Sequence, residues 1–432
     1  MLLSIAVWSL VAPHFWHRHS GRIALAWALA FLLPFAALHG AGNAFAVFMR
    51  ALVDEYIPFI VLSGALYTIT GSIHVRGNLR GSPRVNVALL ALGTALASIM
   101  GTTGAAMLLI RPLLRANDHR RHVVHVVVFF IFLVANAGGM LLPLGDPPLF
   151  LGFLNGVSFF WTTRHLALPL LFVSGVLLTL FYLLDVWYFR REDEIPSAFF
   201  DPTPDSHAFG IDGKRNIIWF AGAIGLVLMS GLWKPHADMA FSGAHVALQN
   251  LVRDVGLVAF ALFSLACTPH EVRAHNGFDW APIIEVAKLF AGIFVTLAPV
   301  IMMLHAGEAG AFAGILHWVN DAAGQPDGAR YFWLTGMLSS FLDNAPTYLV
   351  FFNLAGGNAP GLMTSGANTL AAISAGAVLM GANTYIGNAP NFMVKSIAQA
   401  HGVKMPGFFG YLMWSGIILL PLFAVTAWLF FT

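Results

Sequence analysis

Two aspartates set inside apolar sequence are the residues best placed to do chemistry. Asp146 lies in Gly145-Asp146-Pro147-Pro148, and Asp343 in Ser339-Ser340-Phe341-Leu342-Asp343-Asn344-Ala345-Pro346. A carboxylate inside a bilayer is costly and by default marks a functional site. Burial raises its pKa and a bound cation lowers it, so such a group can exchange a proton for a cation. Either aspartate could instead cap a half-helix. For Asp146 both readings stand; Asp343, at a predicted hairpin tip, reads as the exchanger.

Neutral oxygens cluster near both: Thr102 and Thr103, Asn344 and Thr347, then Asn383, Thr384, Asn388 and Asn391. Gly145, Pro147 and Pro148 supply one helix break, and Gly381, Gly387 and Pro390 another. A break at membrane depth frees N–H groups that favour anions and carbonyls that favour cations. The expected ion and substrate site is therefore Asp343, Asn344, Thr347, Thr102, Thr103, Asp146, Asn383, Thr384 and Asn388. Within it a sodium ion is expected at Asp343, Asn344 and Asp146. Lys395, one turn past Asn391, could pair with an aspartate, compete with the cation, or snorkel to the membrane surface.

Other chemistries find little footing. Asp146 and Asp343 could serve an intramembrane enzyme only within hydrogen-bond reach of each other. Cys267 is the single cysteine, so an intramolecular disulfide and a cysteine metal cluster are excluded. His305, His317 and Glu308 lack metal-ligand spacing, and no glycine-rich phosphate loop supports ATP-driven transport. No resident cofactor is expected, only sodium ions and protons as transported or coupling ions.

The elements that must position these residues are membrane helices. The chain is 58% hydrophobic and 10% charged over 432 residues, with mean hydropathy +0.76, whereas soluble chains carry roughly a quarter charged residues. This predicts an all-α polytopic membrane protein with spans near 23–38, 56–73, 122–142, 166–189, 216–233, 245–268, 283–303 and 408–431. The stretches 85–114, 143–157, 331–355 and 366–400 are apolar but interrupted. Asp185 is expected at the periphery, near a span end.

Most Lys and Arg residues fall in Arg18/Arg22, Arg76/Arg80/Arg84, Arg111/Arg115/Arg120/Arg121, Arg190/Arg191/Lys214/Arg215, Arg273 and Lys404. The positive-inside rule makes these cytoplasmic, and the expected location is a bacterial inner membrane. Arginines on both sides of 85–114 then require a re-entrant hairpin with its tip at Gly101-Thr102-Thr103-Gly104. Non-helical backbone at that depth must be buried in protein or line a wet cavity.

The second half offers a partner for each interrupted element. Residues 102–105 align with 343–346 at an offset of 241, and 145–148 with 387–390 at an offset of 242. The second hairpin is flanked by Arg330 and a charge-free Gly/Asn/Pro loop, so it opens to the opposite side and the repeats are inverted. Such paired interruptions point to a transporter's binding site. The expected organisation is 1–55, N-terminal spans and an amphipathic segment; 56–189, repeat 1, with hairpin tip 101–104 and broken helix 143–148; 190–215, a cytoplasmic linker; 216–282, connecting spans; and 283–432, repeat 2, with hairpin tip 343–346 and broken helix 381–390.

At these motifs the sequence resembles the ion transporter superfamily, which includes sodium/proton antiporters, arsenite efflux permeases, and citrate or dicarboxylate carriers. Ser339 to Pro346 looks like the S-S-x-x-D-N-x-P hairpin motif of the antiporter branch. Gly138-Gly139-Met140 followed by Gly145-Asp146-Pro147-Pro148 looks like the superfamily's broken-helix motif. The resemblance covers roughly 56–157 and 283–431. Within the superfamily the chain is most similar to a proteobacterial group to which both citrate transport and sodium:proton antiport are ascribed. The resemblance implies two hairpins, two broken helices, a substrate site between them and a homodimer.

One departure bears on cargo. Carboxylate carriers of the superfamily are similar to one another in a Ser-Asn-Thr motif at both tips, which this chain lacks. Asp343 beside a tricarboxylate would set like charges together, costing of order several kcal/mol at about 4 Å. The sequence reading is thus a sodium (monovalent cation)/proton antiporter, with a cation-coupled citrate or other organic-anion carrier as the alternative. Its partners are the lipid bilayer, a small ion or organic anion and a second copy of the chain, with no nucleic acid.

Overall fold

The computed structural model describes residues 1–77, 79–192, 210–235, 237–241, 244–321 and 324–432. Most of the 190–215 linker lies outside these described residues. The described chain is overwhelmingly helical. Among the described residues seven helices are long and apolar enough to cross a membrane: Arg18–His39, Pro83–Met100, Trp161–Phe189, Arg215–Leu232, Leu248–Cys267, Ala281–His305 and Phe408–Phe430. This is a polytopic membrane protein. Two short antiparallel ribbons, His74–Arg76 with Gly210–Asp212 and Asp238–Phe241 with Ala244–Ala247, were not anticipated from composition.

The predicted hairpins are present. Pro83–Met100 and Thr102–Ala116 are separated by Gly101 alone, at φ +82°, a conformation glycine adopts without strain. A Cβ on Gly93 would lie 3.0 Å from Leu109 Cδ1, so positions eight residues either side of Gly101 face each other. At the open end Gly81 N–H donates to the Ala116 carbonyl (2.6 Å). Asn86 and Asn117 exchange side-chain hydrogen bonds of 2.9 and 2.8 Å. The second hairpin joins Gly328–Phe341 to Asn344–Leu354, and Tyr331 on one arm meets Phe351 on the other.

Three sequence expectations need correcting. The stretches 122–142 and 143–157 are not a complete span plus a separate element. They are the halves of one interrupted helix, Val124–Leu133 and Pro147–Leu154, joined by irregular backbone and a 3-10 turn at Ala137–Met140. Asn136 starts the break: its amide donates to the Ile131 carbonyl (2.8 Å), so the helix ends against a side chain. The stretch 366–400, by contrast, is interrupted where expected: Ala367–Met380, a 3-10 turn Gly381–Asn383, and Ala389–Ala400. Second, the predicted 56–73 span continues an earlier helix: Ala41–Arg50 runs through a π-helical turn, Ala51–Tyr56, into Ile57–Gly71.

Third, Asp185 is not peripheral. It is fully buried, with Oδ1 2.7 Å from Arg120 Nη1 and 2.8 Å from His125 Nε2, while Oδ2 accepts from Asn86 Nδ2 at 2.9 Å. Arg120 Nε also meets Glu192 Oε2 at 3.1 Å. This network clamps the open end of the first hairpin to Trp161–Phe189. Its cause is tertiary: Arg120 lies in the loop after the hairpin and is carried onto Asp185 by packing.

Burial locates the centre. Val124–Leu133 and Ala367–Met380 are buried along nearly their whole length, which explains why both are apolar all round rather than striped. Arg18–His39 and Leu248–Cys267, by contrast, bury few residues and present large apolar side chains such as Leu33 and Leu262 outward.

Candidate functional site

The two hairpin tips and the two helix breaks meet at Asp146. Thr102, the first residue after the first tip, donates its backbone N–H to the Gly145 carbonyl (2.8 Å) and its hydroxyl to Asp146 Oδ1 (3.0 Å). Asn344, the first helical residue after the second tip, donates from Nδ2 to Asp146 Oδ2 in a close contact. Asn388, at the second break, donates to Asp146 Oδ1 at 3.3 Å. Asp146 is 1% exposed. Although it occupies the N-cap position of Pro147–Leu154, its side chain makes no capping bond with that helix. Its carboxylate is spent entirely on other elements.

Asp343 behaves differently. It occupies the N-cap of Asn344–Leu354, and its Oδ1 accepts from Ala345 N–H at 3.3 Å, so it caps its own helix. It lies within electrostatic range of Asp146 but makes no hydrogen bond with it; the geometry is not that of a catalytic aspartate pair. The capping role the sequence left open for Asp146 falls to Asp343.

The remaining expected residues divide. Thr347 is buried but donates back to the Asp343 carbonyl (3.0 Å). Thr103 is half-buried, whereas Thr102 beside it reaches Asp146. Asn383 Nδ2 donates to Ser340 Oγ (2.9 Å), and Thr384 Oγ1 donates to the Ser340 carbonyl (2.5 Å) while accepting from Gly387 N–H (3.1 Å). These two shape the second break rather than reach the carboxylate. Lys395 forms no ion pair with either aspartate; its ammonium lies 4.3 Å from the centroid of the Tyr385 ring. Among the described residues no cluster of His, Cys, Asp or Glu could hold a metal ion.

Sequence reasoning missed Asn136. Fully buried, it accepts from Asn388 Nδ2 (3.3 Å) and donates to Asn391 Oδ1 (2.7 Å), tying the first break to the second. A lone asparagine in the apolar run 124–137 is the signal that could have found it, since buried polar groups there need partners.

The breaks follow from small residues. A Cβ on Gly139 would sit 2.7 Å from Thr102 Cγ2 and 2.9 Å from Asp146 Cβ; one on Gly387 would sit 2.6 Å from the Gly381 carbonyl oxygen. Matching devices recur 242 residues apart. Ser98 donates to the Gly138 carbonyl and Ser340 to the Met380 carbonyl. Asp146 and Asn388 share nearly the same extended backbone, at φ −147°, ψ 145° and φ −151°, ψ 138°.

Two consequences concern ligands. The carbonyls of the second break are mostly engaged: Gly381 and Thr384 by Asn391, Ala382 by Tyr411, Asn383 by Ser415. Two side-chain acceptors are left over. Asn344 Oδ1 and Asn383 Oδ1 are buried without a hydrogen-bond partner, and Asn344 Oδ1 belongs to the amide that touches Asp146. Second, four helix N-termini converge here: Thr102, Pro147, Asn344 and Ala389 each begin a helix. Their partial positive charges favour an anion nearby.

A protein-family profile described as "Putative citrate transport" matches residues 1–431. The chain belongs to this family. No curated protein matches it. Family membership and the polytopic helical fold make it a transport protein of the membrane, with Asp146 buried where its broken helices cross.

Proposed function

We propose that the chain is a cation-coupled secondary transporter of a carboxylate anion of the citrate class, in a bacterial inner membrane with its arginine-rich loops cytoplasmic. The observation that carries this reading is a buried carboxylate ringed by four helix N-termini, in a chain of a citrate-transport family. Asp146, with the unpartnered Asn344 Oδ1 beside it, supplies hard oxygen ligands for a sodium ion or a site for a proton. A bound cation neutralises the carboxylate and lets an anion approach the helix ends, so each ligand favours the other. The hairpins and breaks act as inverted repeats that alternate access around this point. The test is uptake of labelled citrate into proteoliposomes with and without an inward sodium gradient. Sodium-stimulated, carboxylate-competed uptake is expected; its absence under sodium and proton gradients alike overturns the reading.

A second reading, sodium/proton antiport with Asp343 as exchanger, draws on one observation. Asp343 is partly exposed and holds a single capping bond, so its carboxylate is available. Sodium-driven proton flux in the absence of carboxylate, abolished by Asp343→Asn, would select it.

A further inference from the structure

We infer that the far end of the first hairpin's second arm is a polycarboxylate-binding site, separate from Asp146, where the transported anion is held at the arginine-rich face. It rests on the citrate-class reading above and adds a second station to it.

Arg111 and Arg115 lie one turn apart on Thr102–Ala116 and so share a face of that helix. Arg111 Nη1 and Arg115 Nε are buried N–H donors without a hydrogen-bond partner. Nearly all buried polar groups in folded proteins are paired, and a charged donor left unpaired is among the costliest exceptions. Arg115 is held in place by Nη2, which donates to the Val75 carbonyl (3.0 Å). Gly277, at φ +54°, brings backbone against Arg111: a Cβ there would sit 3.0 Å from Arg111 Cζ. His74 and His275 add two rings 5.4 Å apart, and His74 senses the charge of Arg115.

The acidic groups nearby leave both of these N–H donors without a hydrogen bond. Asp212 is taken by Arg76 at 2.8 Å and lies 3.6 Å from His74. Asp118 interacts electrostatically with Arg115 but leaves its Nε unpartnered. The Asp279 carboxylate accepts from Ala281 N–H (3.2 Å). Two planar guanidinium groups with side chains rooted about 6 Å apart suit two carboxylates of one flexible anion. At 1.5 Å per residue Arg111 and Arg115 lie about 14 and 20 Å along the helix from Thr102, too far for one citrate-sized molecule to bridge both sites.

The experiment is citrate-induced thermal stabilisation of the purified full-length protein. Asp146→Ala removes the central carboxylate and should keep a citrate-dependent shift. Adding Arg111→Gln to that background should weaken the apparent citrate affinity at least tenfold. Arg111→Lys, which keeps charge and packing but loses the planar fork, should also weaken it while leaving the unliganded melting temperature unchanged. Equal citrate affinity with and without Arg111 overturns the site, and so does a shift from inorganic phosphate as large as that from citrate. Wild-type citrate uptake reports on the transport reading alone, because uptake can fail whether or not Arg111 binds the anion.

Discussion

Replacing Asp146 with asparagine separates the cost of a buried charge from its use. The carboxylate takes hydrogen bonds from Thr102, Asn344 and Asn388, and its remaining electrostatic neighbour is the like-charged Asp343. No cation among the described residues compensates it. The substituted amide would keep one acceptor oxygen, and the Asn344 amide can turn its unpartnered Oδ1 toward the new N–H. The unliganded protein should therefore melt no lower than wild type, because a buried charge without an ion partner, offset only by hydrogen bonds and the partial charges of the helix N-termini, has been removed. Cation binding should collapse. A monovalent cation about 4 Å from the carboxylate gains about 4 kcal/mol at an effective dielectric near 20. At 1.4 kcal/mol per decade, losing that weakens the cation roughly a thousandfold. The assay is the sodium dependence of citrate uptake, with melting curves in sodium and in choline. A half-saturating sodium concentration within threefold of wild type would refute the assignment of Asp146 as the coupling site.

Three further outcomes follow from the geometry. Asp185→Asn leaves Arg120 buried with Glu192 as its remaining carboxylate partner and should cost about 3–5 kcal/mol, read as a lower melting temperature in detergent; Glu192→Gln, at the more exposed end of the network, should cost less. Gly139→Ala places a methyl against Thr102 and the Asp146 Cβ; overpacking of about 1–3 kcal/mol is expected, with uptake falling far more than expression. Asn136→Ala leaves Asn391 Oδ1 without its donor, at about 1–3 kcal/mol for the unsatisfied group, while Asn388 Nδ2 keeps the Ala135 carbonyl and Asp146; a melting temperature equal to wild type would count against the bridge between the breaks.

The parts of this fold legible in the sequence are those dictated by local chemistry. Gly101, Gly145, Pro147, Gly387 and Pro390 announce where helices cannot continue, and arginines flanking 85–114 announce a chain that turns back. What stayed hidden depends on distant partners. Asp146 and Asp343 both sit at helix starts, and sequence cannot tell which one caps its own helix and which one reaches across. Asp185 reads as a span-end charge until Arg120, 65 residues earlier in the chain, folds onto it. Asn136 is one polar residue in an apolar run, and its meaning comes from Asn391, 255 positions away. The engaged carbonyls of the second break were likewise out of reach, because Tyr411 and Ser415 come from the final helix.

The Asn136–Asn391 bond has a mechanical meaning. It joins the two interrupted helices beside their breaks, and the hydrogen bonds of Thr102 and Asn344 to Asp146 gather both tips onto the same spot. A lever pinned at its middle sweeps widest at its ends. Spin labels on the outer ends of Val124–Leu133 and Ala389–Ala400 should report large distance changes through a transport cycle, while labels flanking the pin should report almost none. The ring of amides that holds the carboxylate would then be a fulcrum, and the distance from it to each membrane face would set how far each gate opens.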